Sequence, residues 1–313
     1  MKCAVIYNPY AKKGNFEKNK DLITKALKQK FEVVDFIKSE YNKHTSQIAA
    51  FCCGNYDVIV AAGGDGTFNE VVNGIAQKEN KPTVAFLPCG TVNDMAHSLG
   101  IPKNTEKALD IILNGTAFKH DAFKINDSYG IYVFTAGLFT SCTYKTNQEH
   151  KRRFGWFAYA FKGLTELFRL NNLKLEVKVD DKDYNGNFAF IMLANSNSVA
   201  GFNVNKGAAL NDGLVDVVLM RQCKILGLTN LITSLRLIKL FLFGIKSFKR
   251  SKRVTVLNAK RVSIKNLSQS KFNLDGEFAG KEDEYNIELL KQEIEIFVPG
   301  KNPSTKNHLI KKF

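Results

Sequence analysis

The sequence predicts an α/β domain with a parallel sheet, followed by a mostly antiparallel β domain. Short apolar runs alternate with helical patterns over the first 120 residues, and period-two strands joined by turn residues follow from Asp121. The length of 313 residues also exceeds the usual size of a single domain. We therefore expect a three-layer α/β domain at residues 1–120, a β domain at 121–299 and a basic tail at 300–313.

Apolar runs and helical periodicity predict alternating elements in the first domain. The expected strands are residues 3–7, 31–37, 57–62 and 83–87. The expected helices are residues 18–30, 68–76 and 105–113, the last beginning at a Thr cap and ending before Asn114-Gly115. This order is typical of βαβ units, which form a parallel sheet.

The second half of the chain predicts strands joined by hairpin turns, as at residues 126–130 and 184–186. The expected strands are residues 122–125, 131–135, 174–179, 188–194, 214–220, 253–257, 261–265 and 293–298. Two helical patterns interrupt them, near residues 155–170 and 225–246. The second half is therefore expected to form a β domain.

The composition indicates a globular protein with an anionic partner. The chain has 45 Lys and Arg against 30 Asp and Glu, so its formal charge is +15. Its six cysteines show no spacing typical of a metal site or a disulfide framework. A strand-like segment begins at Cys3, so we do not expect a secretory leader. We expect a cytoplasmic protein.

The longest apolar region is interrupted by charge. Residues 225–245 contain Arg236 and Lys239, and each costs about 2.5 to 3.5 kcal/mol at a bilayer centre. We therefore expect peripheral rather than spanning membrane contact. An aromatic stripe from Phe154 to Phe168 is typical of core packing, although a lipid acyl channel would also be apolar.

A glycine-rich turn follows the third predicted strand. Gly63, Gly64, Asp65, Gly66 and Thr67 run directly into a predicted helix, a context that suits phosphate binding by backbone amides and the helix dipole. Asp65 would repel a bare phosphate, so it implies a bridging cation or a positioned proton. The simpler interpretation is an acidic β–α turn with no ligand.

A second polar turn follows the next strand. Thr91, Asn93 and Asp94 lie within residues 88–96, again between a strand and a helix. Because the carboxyl ends of parallel strands meet at one edge of a sheet, both turns are expected in one crevice.

Together with further motifs, these turns resemble the bacterial diacylglycerol kinase-like lipid kinases, relatives of sphingosine kinases and NAD kinase. The motifs are Asn8-Pro9, Gly63 to Thr67 with Asn69 and Glu70, Gly90 to Asp94 continuing to Pro102, Asn211 to Leu214, and Asp275-Gly-Glu277. The resemblance covers nearly the whole chain. It implies an α/β domain and a β-sandwich domain with the active site in the cleft between them.

The same resemblance implies which residues bind ATP and which act on the lipid. Glu277 would be the general base for the lipid hydroxyl, with Asp275 beside it and Asp65 also in the catalytic set. The ATP-binding residues would be Asn8, Ser39, Gly63, Gly64, Asp65, Gly66, Thr67, Asn69, Glu70, Thr91, Asn93 and Asp94. Without the family, Asp275-Gly-Glu277 is more typical of a hairpin turn.

The family also implies a structural Mg²⁺ site. Asp212 would hold the ion with the carbonyls of Ala209 and Leu214, and water would connect it to Asp94 and Asp65. A second, catalytic Mg²⁺ would arrive with ATP. Taken alone, Asn211 to Leu214 is an ordinary turn.

Two positions depart from the family pattern. The turn after Asn8-Pro9 carries two lysines and a delayed glycine at residues 10–14, whereas the family usually has a small residue and an early glycine there. Ser39 stands near a position where Thr is usual, and its hydroxyl could make the same hydrogen bond.

Three function classes remain open from the sequence. The motifs favour a lipid kinase using ATP and Mg²⁺, over a soluble-metabolite kinase of the NAD kinase type and over a basic binding protein. Diacylglycerol leads as the acceptor, with phosphatidylglycerol and sphingoid bases as alternatives. Nucleic acid is not expected as a partner, because no known binding motif accompanies the basic residues. A homodimer is compatible with the sequence.

The segment at residues 225–253 predicts a peripheral docking face for an anionic membrane. Its apolar residues approximate one helical stripe, and basic residues gather towards its end. The alternative is a core helix followed by a solvated basic linker. The apolar residues are Leu228, Leu231, Ile232, Leu235, Ile238, Leu242 and Ile245, and the final basic residues are Lys246, Lys249, Arg250, Lys252 and Arg253.

Overall fold

The computed structural model describes residues 1–9, 15–41, 43–137, 172–223, 229–248 and 251–300. The chain divides into two compact units. The first contains Met1–His120, and the second contains Asp121–Asn205 and Gly213–Lys291. Lys206–Asp212 and the described residues from Gln292 onwards also belong to the first unit, although both stretches lie within the range expected for the second domain or the tail.

The first unit is built on a parallel sheet in the order β4-β3-β1-β2. Its strands are β1 (Lys2–Tyr7), β2 (Val33–Lys38), β3 (Val58–Gly63) and β4 (Thr83–Pro88). Every residue of β3 is buried, which requires cover on both faces of the sheet. The predicted parallel α/β domain is confirmed.

Six helices of the first unit lie between or after these strands. They are α1 (Asn15–Lys18), α2 (Lys20–Leu27), α3 (His44–Cys52), α4 (Asp65–Ile75), α5 (Asp94–Ser98) and α6 (Thr105–Asn114). Asn104 caps α6 by accepting the Lys107 N–H at 2.9 Å. The helix predicted at residues 18–30 is α2, which ends at Leu27, and the short α1 precedes it. The sequence does not predict α3, because its apolar positions span barely two turns.

The second unit is rich in antiparallel strands, as the sequence predicts. Its sheet runs β15-β14-β7-β10-β8-β13-β16, with β11 beside β10 and β12 beside β11. The strands from β5 onwards are β5 (Thr116–Ile125), β6 (Ser128–Gly130), β7 (Val133–Ala136), β8 (Leu173–Val179), β9 (Lys182–Asp183), β10 (Gly186–Ala194), β11 (Val215–Arg221), β12 (Val254–Ala259), β13 (Arg261–Asn266), β14 (Phe272–Leu274), β15 (Glu277–Phe278) and β16 (Glu284–Val298).

The strand predicted at residues 293–298 is only the end of β16. Gln292 within it has a positive φ of 54°, which interrupts the regular alternation that sequence patterns detect. The part of β16 before this residue pairs with β13, whereas Ile296 pairs with Val84 of β4.

Aromatic side chains pack the core of the second unit behind β14. The ring of Phe272 lies 5.1 Å from that of Phe134 and 4.4 Å from that of Tyr285, measured between centroids. Such contacts add to the stability that buried area provides. The short β14 is therefore anchored on a packed cluster immediately before Asp275.

Among the described residues of the second unit, one long helix, α7 (Thr229–Phe243), is followed by a 3₁₀ helix at Ile245–Phe248. In the part of the chain that the structure describes, no helix is long and apolar enough to cross a bilayer. The predicted helix near 155–170, its aromatic stripe, the turn at 10–14, the pair Lys249 and Arg250, and the tail after 300 lie outside the described residues.

Candidate functional site

The carboxyl ends of the four parallel strands bring several predicted residues to one edge of the first unit's sheet. Asn8 follows β1, Ser39 follows β2 and Gly64 follows β3. Ser39 is buried, and its N–H and hydroxyl both donate to the Tyr7 carbonyl, at 2.9 and 3.3 Å. The hydroxyl of Ser39 therefore connects the ends of β1 and β2 by a hydrogen bond.

The glycine turn has no room for side chains at its start. A Cβ on Gly63 would lie 2.3 Å from the Thr67 Oγ1. Gly64 is the N-cap of α4, so Asp65, Gly66 and Thr67 form the first turn of the helix rather than a loop before it. This helix begins three residues earlier than the sequence predicts, which places its unpaired amides within the motif itself.

The two polar turns touch through their glycines. A Cβ on Gly90 would lie only 2.6 Å from the Cα of Gly64, so the backbones meet directly at this point. The Cys89 N–H also donates to the Gly63 carbonyl at 2.7 Å. The expectation that both turns lie together at this edge agrees with these contacts.

Asp65 connects the glycine turn to the second turn by hydrogen bonds. Its two carboxylate oxygens accept the N–H groups of Asp94 at 3.1 Å and Met95 at 3.0 Å. These are the first amides of α5, which have no partner within that helix. Asp65 thus caps α5 from a different segment of the chain.

Asn93 shapes the second turn from within. Its side chain is fully buried, its φ is 56°, and its amide accepts the Gly90 N–H at 3.0 Å and donates to the Gly90 carbonyl at 2.9 Å. Asn tolerates this left-handed conformation better than most residues. Asn93 therefore holds the turn in shape.

Thr91 is exposed in the same turn, next to a cation that sequence reasoning missed. The Lys103 ammonium donates to the Thr91 carbonyl at 3.2 Å. Lys103 directly follows the Leu99 to Pro102 stretch of the motif, and that position was the available signal. An exposed ammonium group beside a glycine turn is chemically suited to an anionic ligand.

Asn69 and Glu70 lie on the second turn of α4 and are half-buried. The Asn73 amide donates to both the carbonyl and the side-chain oxygen of Asn69 at 3.0 Å. The Ser46 hydroxyl donates to the Glu70 carbonyl at 2.8 Å and ties α4 to α3. These contacts brace the helix that carries the glycine turn.

In the second unit, Asp275 and Gly276 form a tight hairpin between β14 and β15. Their φ values are 51° and 92°, and Leu274 pairs with Glu277 across the turn. Positive φ at both central residues is the signature of a type I′ turn. The hairpin interpretation of this motif is confirmed, and Glu277 stands exposed directly after the turn.

The carboxylate of Asp275 is occupied by backbone donors. It accepts the N–H groups of Ile131 at 2.7 Å, Tyr132 at 3.0 Å and Val133 at 2.9 Å, and the side chain is 2% exposed. Ionised acceptors make the stronger hydrogen bonds in proteins. Asp275 therefore anchors the hairpin that presents Glu277.

The predicted metal residues lie in one short loop that ends at β11. Asp212 is exposed and Gly213, at φ 82°, donates its N–H to the carboxylate of Asp121 at 2.7 Å. Asp121 is fully buried and was not singled out by the sequence. Among the described residues, no group of three or more His, Cys, Asp and Glu side chains could hold a metal.

Comparison with known proteins identifies the family. Residues 2–125 match the model of the diacylglycerol kinase catalytic domain, and residues 133–298 match that of the YegS C-terminal NAD kinase beta sandwich-like domain. The chain belongs to the diacylglycerol kinase family. It is a lipid kinase of this family, as the motif resemblance predicts.

Relatives of the diacylglycerol kinase family match along nearly the whole chain. The diacylglycerol kinase of Staphylococcus saprophyticus is 33% identical over 297 residues, which cover 94% of each protein. That of Staphylococcus aureus strain bovine RF122 is 33% identical and covers 94% of this chain and 91% of the relative.

Solved structures share the fold of this family. A crystal structure of a diacylglycerol kinase from Bacillus anthracis str. Sterne superposes with a TM-score of 0.76 at 22% identity, covering 95% of this chain and 96% of that one. A second structure from the same organism gives a TM-score of 0.78 at 22% identity, with 95% of each chain covered.

Proposed function

We propose that the protein transfers the γ-phosphoryl group of ATP to the hydroxyl of diacylglycerol and so forms phosphatidic acid. The observation that carries the proposal is the pair of glycine turns, in contact at the carboxyl edge of a parallel sheet, in a chain 33% identical to diacylglycerol kinases. Anionic phosphate groups bind well where glycine amides and a helix N-terminus converge.

The first unit supplies the phosphate site in this proposal. Backbone amides from Gly64 to Thr67 would contact phosphate oxygens, and Lys103 would add a positive charge beside Thr91. Asp65 acts indirectly, because it holds the Asp94 and Met95 amides and thereby shapes the second turn. Asn8 and Ser39, at the ends of β1 and β2, would border the nucleoside. A Mg²⁺ ion bound to ATP would neutralise charge on its phosphates.

Glu277 is the proposed general base. In the transfer step the lipid hydroxyl loses its proton to the Glu277 carboxylate, its oxygen bonds to the γ-phosphorus, and the bond from phosphorus to the β-phosphate oxygen breaks to release ADP. Support comes from the exposure of Glu277 and from its rigid hairpin, which Asp275 fastens through its hydrogen bonds to backbone amides. Asp275 is a positioning residue in this scheme.

A structural Mg²⁺ is proposed at the loop that contains Ala209, Asp212 and Leu214. One carboxylate, two backbone carbonyls and water make an all-oxygen donor set, which fits a hard cation. The loop is also held in shape, since the Asp121 carboxylate accepts the N–H of Gly213, which lies between Asp212 and Leu214. Such an ion would order the loop, whereas the chemistry would depend on the ion that arrives with ATP.

Radiolabelled ATP with a panel of acceptors tests the proposed function. The panel contains diacylglycerol, phosphatidylglycerol, a sphingoid base and NAD, each with Mg²⁺ and in detergent micelles where the acceptor is a lipid. We expect labelled phosphatidic acid, identified by mass spectrometry, to form fastest. Transfer to another lipid alone would reject the proposed acceptor, and transfer to NAD alone would reject a lipid substrate.

A further inference from the structure

The α7 helix carries large apolar side chains on its solvent-exposed face as well as on its buried face. Leu231, Leu235 and Leu242 are 47%, 56% and 64% exposed, and they recur at spacings of four and seven residues on one helical face. The buried face carries Thr233 and Ser234 together with Leu237 and Leu240. A surface helix of a globular protein normally carries polar residues on its exposed face, so the exposed leucines call for a partner.

We propose that this face of α7 is the surface by which the protein docks on an anionic lipid bilayer. The inference rests on the proposed function, because a kinase for a membrane lipid must reach a substrate that stays in the membrane. It names a segment and a lipid charge that the lipid kinase activity by itself does not specify.

Charge around the helix selects a membrane surface as the occupant. The 29 residues from 225 to 253 contain no Asp or Glu, whereas Lys239, Lys246, Lys252 and Arg253 are all exposed. An apolar stripe in a segment whose charged residues are all cations matches the acyl chains and negative headgroups of an anionic bilayer. An acidic protein would complement the cations alone, whereas a bilayer complements both the cations and the exposed Leu242 and Phe243.

The end of the helix is firmly attached, so the exposed face is a rigid platform. Gly244, at φ 73°, donates to the Leu240 carbonyl at 2.8 Å, and the next amide, of Ile245, donates to the Val204 carbonyl at 2.8 Å. The Phe241 ring packs edge-on against Phe202 at 5.4 Å between centroids. Phe243, 71% exposed, projects just before this anchor and would insert beside Leu242.

The dimensions of α7 suit a helix lying in the plane of the bilayer surface. Its 15 residues extend about 22 Å, which is shorter than the hydrocarbon core of about 30 Å. The stripe would enter the boundary between headgroups and acyl chains while the buried face stays on the protein.

Two pairs of substitutions test the apolar and the basic parts of the surface. The stripe variant is Leu235→Gln with Leu242→Gln, and its matched control is Leu22→Gln with Phe51→Gln, two exposed apolar residues on α2 and α3. The basic variant is Lys246→Gln with Lys252→Gln, and its control is Lys178→Gln with Lys182→Gln, two exposed lysines on β8 and β9.

Co-sedimentation with phosphatidylglycerol vesicles and with phosphatidylcholine vesicles is the measurement. We expect the stripe variant and the basic variant each to bind phosphatidylglycerol vesicles roughly 10-fold more weakly than the parent, while both controls bind as the parent does. The loss in the basic variant should vanish at high salt, because added ions screen exposed charges. Stronger binding of the parent to phosphatidylglycerol than to phosphatidylcholine is also expected.

Activity on two forms of diacylglycerol separates docking from catalysis. Both variants should keep parental turnover on detergent-dispersed diacylglycerol and lose about 10-fold on vesicles that contain it. Parental vesicle binding by the stripe variant would overturn the docking face. Sedimentation velocity gives a second outcome that would overturn it. If the parent is a dimer, and the stripe variant is a monomer that still binds vesicles, then α7 contacts a second copy of the chain.

The experiments distinguish a wrong docking surface from a wrong proposed function. If the parent phosphorylates no lipid in micelles, the acceptor class is wrong. Vesicle co-sedimentation requires no turnover, so it still decides whether α7 carries the lipid-binding surface.

Discussion

The carboxylate of Asp65 receives the backbone N–H groups of Asp94 and Met95, at 3.1 and 3.0 Å. The two donors lie 29 and 30 residues after Asp65 in the sequence, so the carboxylate connects the glycine turn to the second turn. An acidic residue in a phosphate-binding turn opposes the charge of its ligand. The structure gives Asp65 a structural role, since its carboxylate accepts hydrogen bonds from the first amides of α5 and connects the second turn to the first.

Replacing Asp65 should therefore cost stability as well as activity. Asp65→Asn puts an NH₂ group opposite one of the two backbone donors, and an amide left without an acceptor costs roughly 1–3 kcal/mol. We expect urea unfolding to show a loss of this size, together with weaker ATP binding.

Asp57→Asn is the matched control for Asp65→Asn. Asp57 also accepts a backbone amide, that of Lys2 at 2.7 Å, but at an exposed site. Its effect on stability should be smaller and its effect on ATP binding negligible. Equal unfolding midpoints for Asp65→Asn and the parent would show that the two hydrogen bonds do not support the second turn.

Glu277→Gln should separate catalysis from folding. The side chain is exposed, so an isosteric amide should leave the melting temperature unchanged. Loss of a general base should lower kcat by about 100-fold to 10,000-fold. The control is Glu282→Gln, an exposed Glu in the same unit. Parental turnover in Glu277→Gln would remove this residue from the proposed mechanism.

Asp275→Asn should behave differently from Glu277→Gln, although the two residues are neighbours in one hairpin. Asn also adopts positive φ readily, so the turn conformation at 51° is retained while the negative charge is lost. Hydrogen bonds to charged groups are worth about 1.5–3 kcal/mol, and the three amides at residues 131–133 would lose an ionised acceptor. We expect a lower unfolding free energy and a lower kcat together. A fall in kcat with parental stability would instead point to a direct catalytic role for Asp275.

The sequence predicts the local parts of this site, and long-range contacts supply the rest. Glycine spacing and the preceding strand locate Gly63 to Thr67, and the Asp-Gly pair predicts the hairpin at Asp275. The backbone amides that bind Asp275 lie more than 140 residues away along the chain, and no sequence motif predicts this contact. Asp121 was missed for the same reason, since it accepts the Gly213 N–H from 92 residues away. Lys103 lies only 12 residues from Thr91 and directly follows the motif, so its position was the available signal.

The structural Mg²⁺ site is tested by linkage between metal binding and stability. We expect Mg²⁺ to raise the melting temperature of the parent relative to EDTA, since a ligand at 100 times its Kd adds about 2.7 kcal/mol. Asp212→Ala should abolish this shift, and Asp121→Asn should reduce it by loosening the hold on Gly213. Asp181→Ala, at an exposed turn, is the control. A Mg²⁺ shift that survives in Asp212→Ala would place the ion elsewhere.

Two buried thiols, one on β1 of the parallel sheet and one on α3, predict a loss of stability at high pH. Burial, with weaker contributions from neighbouring groups, raises the pKa of Cys3 and of Cys52 from 9.0 to about 12. The neutral thiol is therefore favoured in the folded state, and the unfolded chain releases these protons first. The resulting contribution to stability is complete below pH 9 and is lost as the pH rises towards 12.

Urea unfolding between pH 8 and 11 should show this decline in stability, and the double variant Cys3→Ala with Cys52→Ala should show a smaller decline. The double variant will be less stable overall because it removes buried atoms, so the comparison is between slopes against pH rather than between absolute values. Identical slopes for the parent and the double variant would assign the alkaline loss to other groups, with Tyr56 the first to examine because its pKa is also raised to about 12.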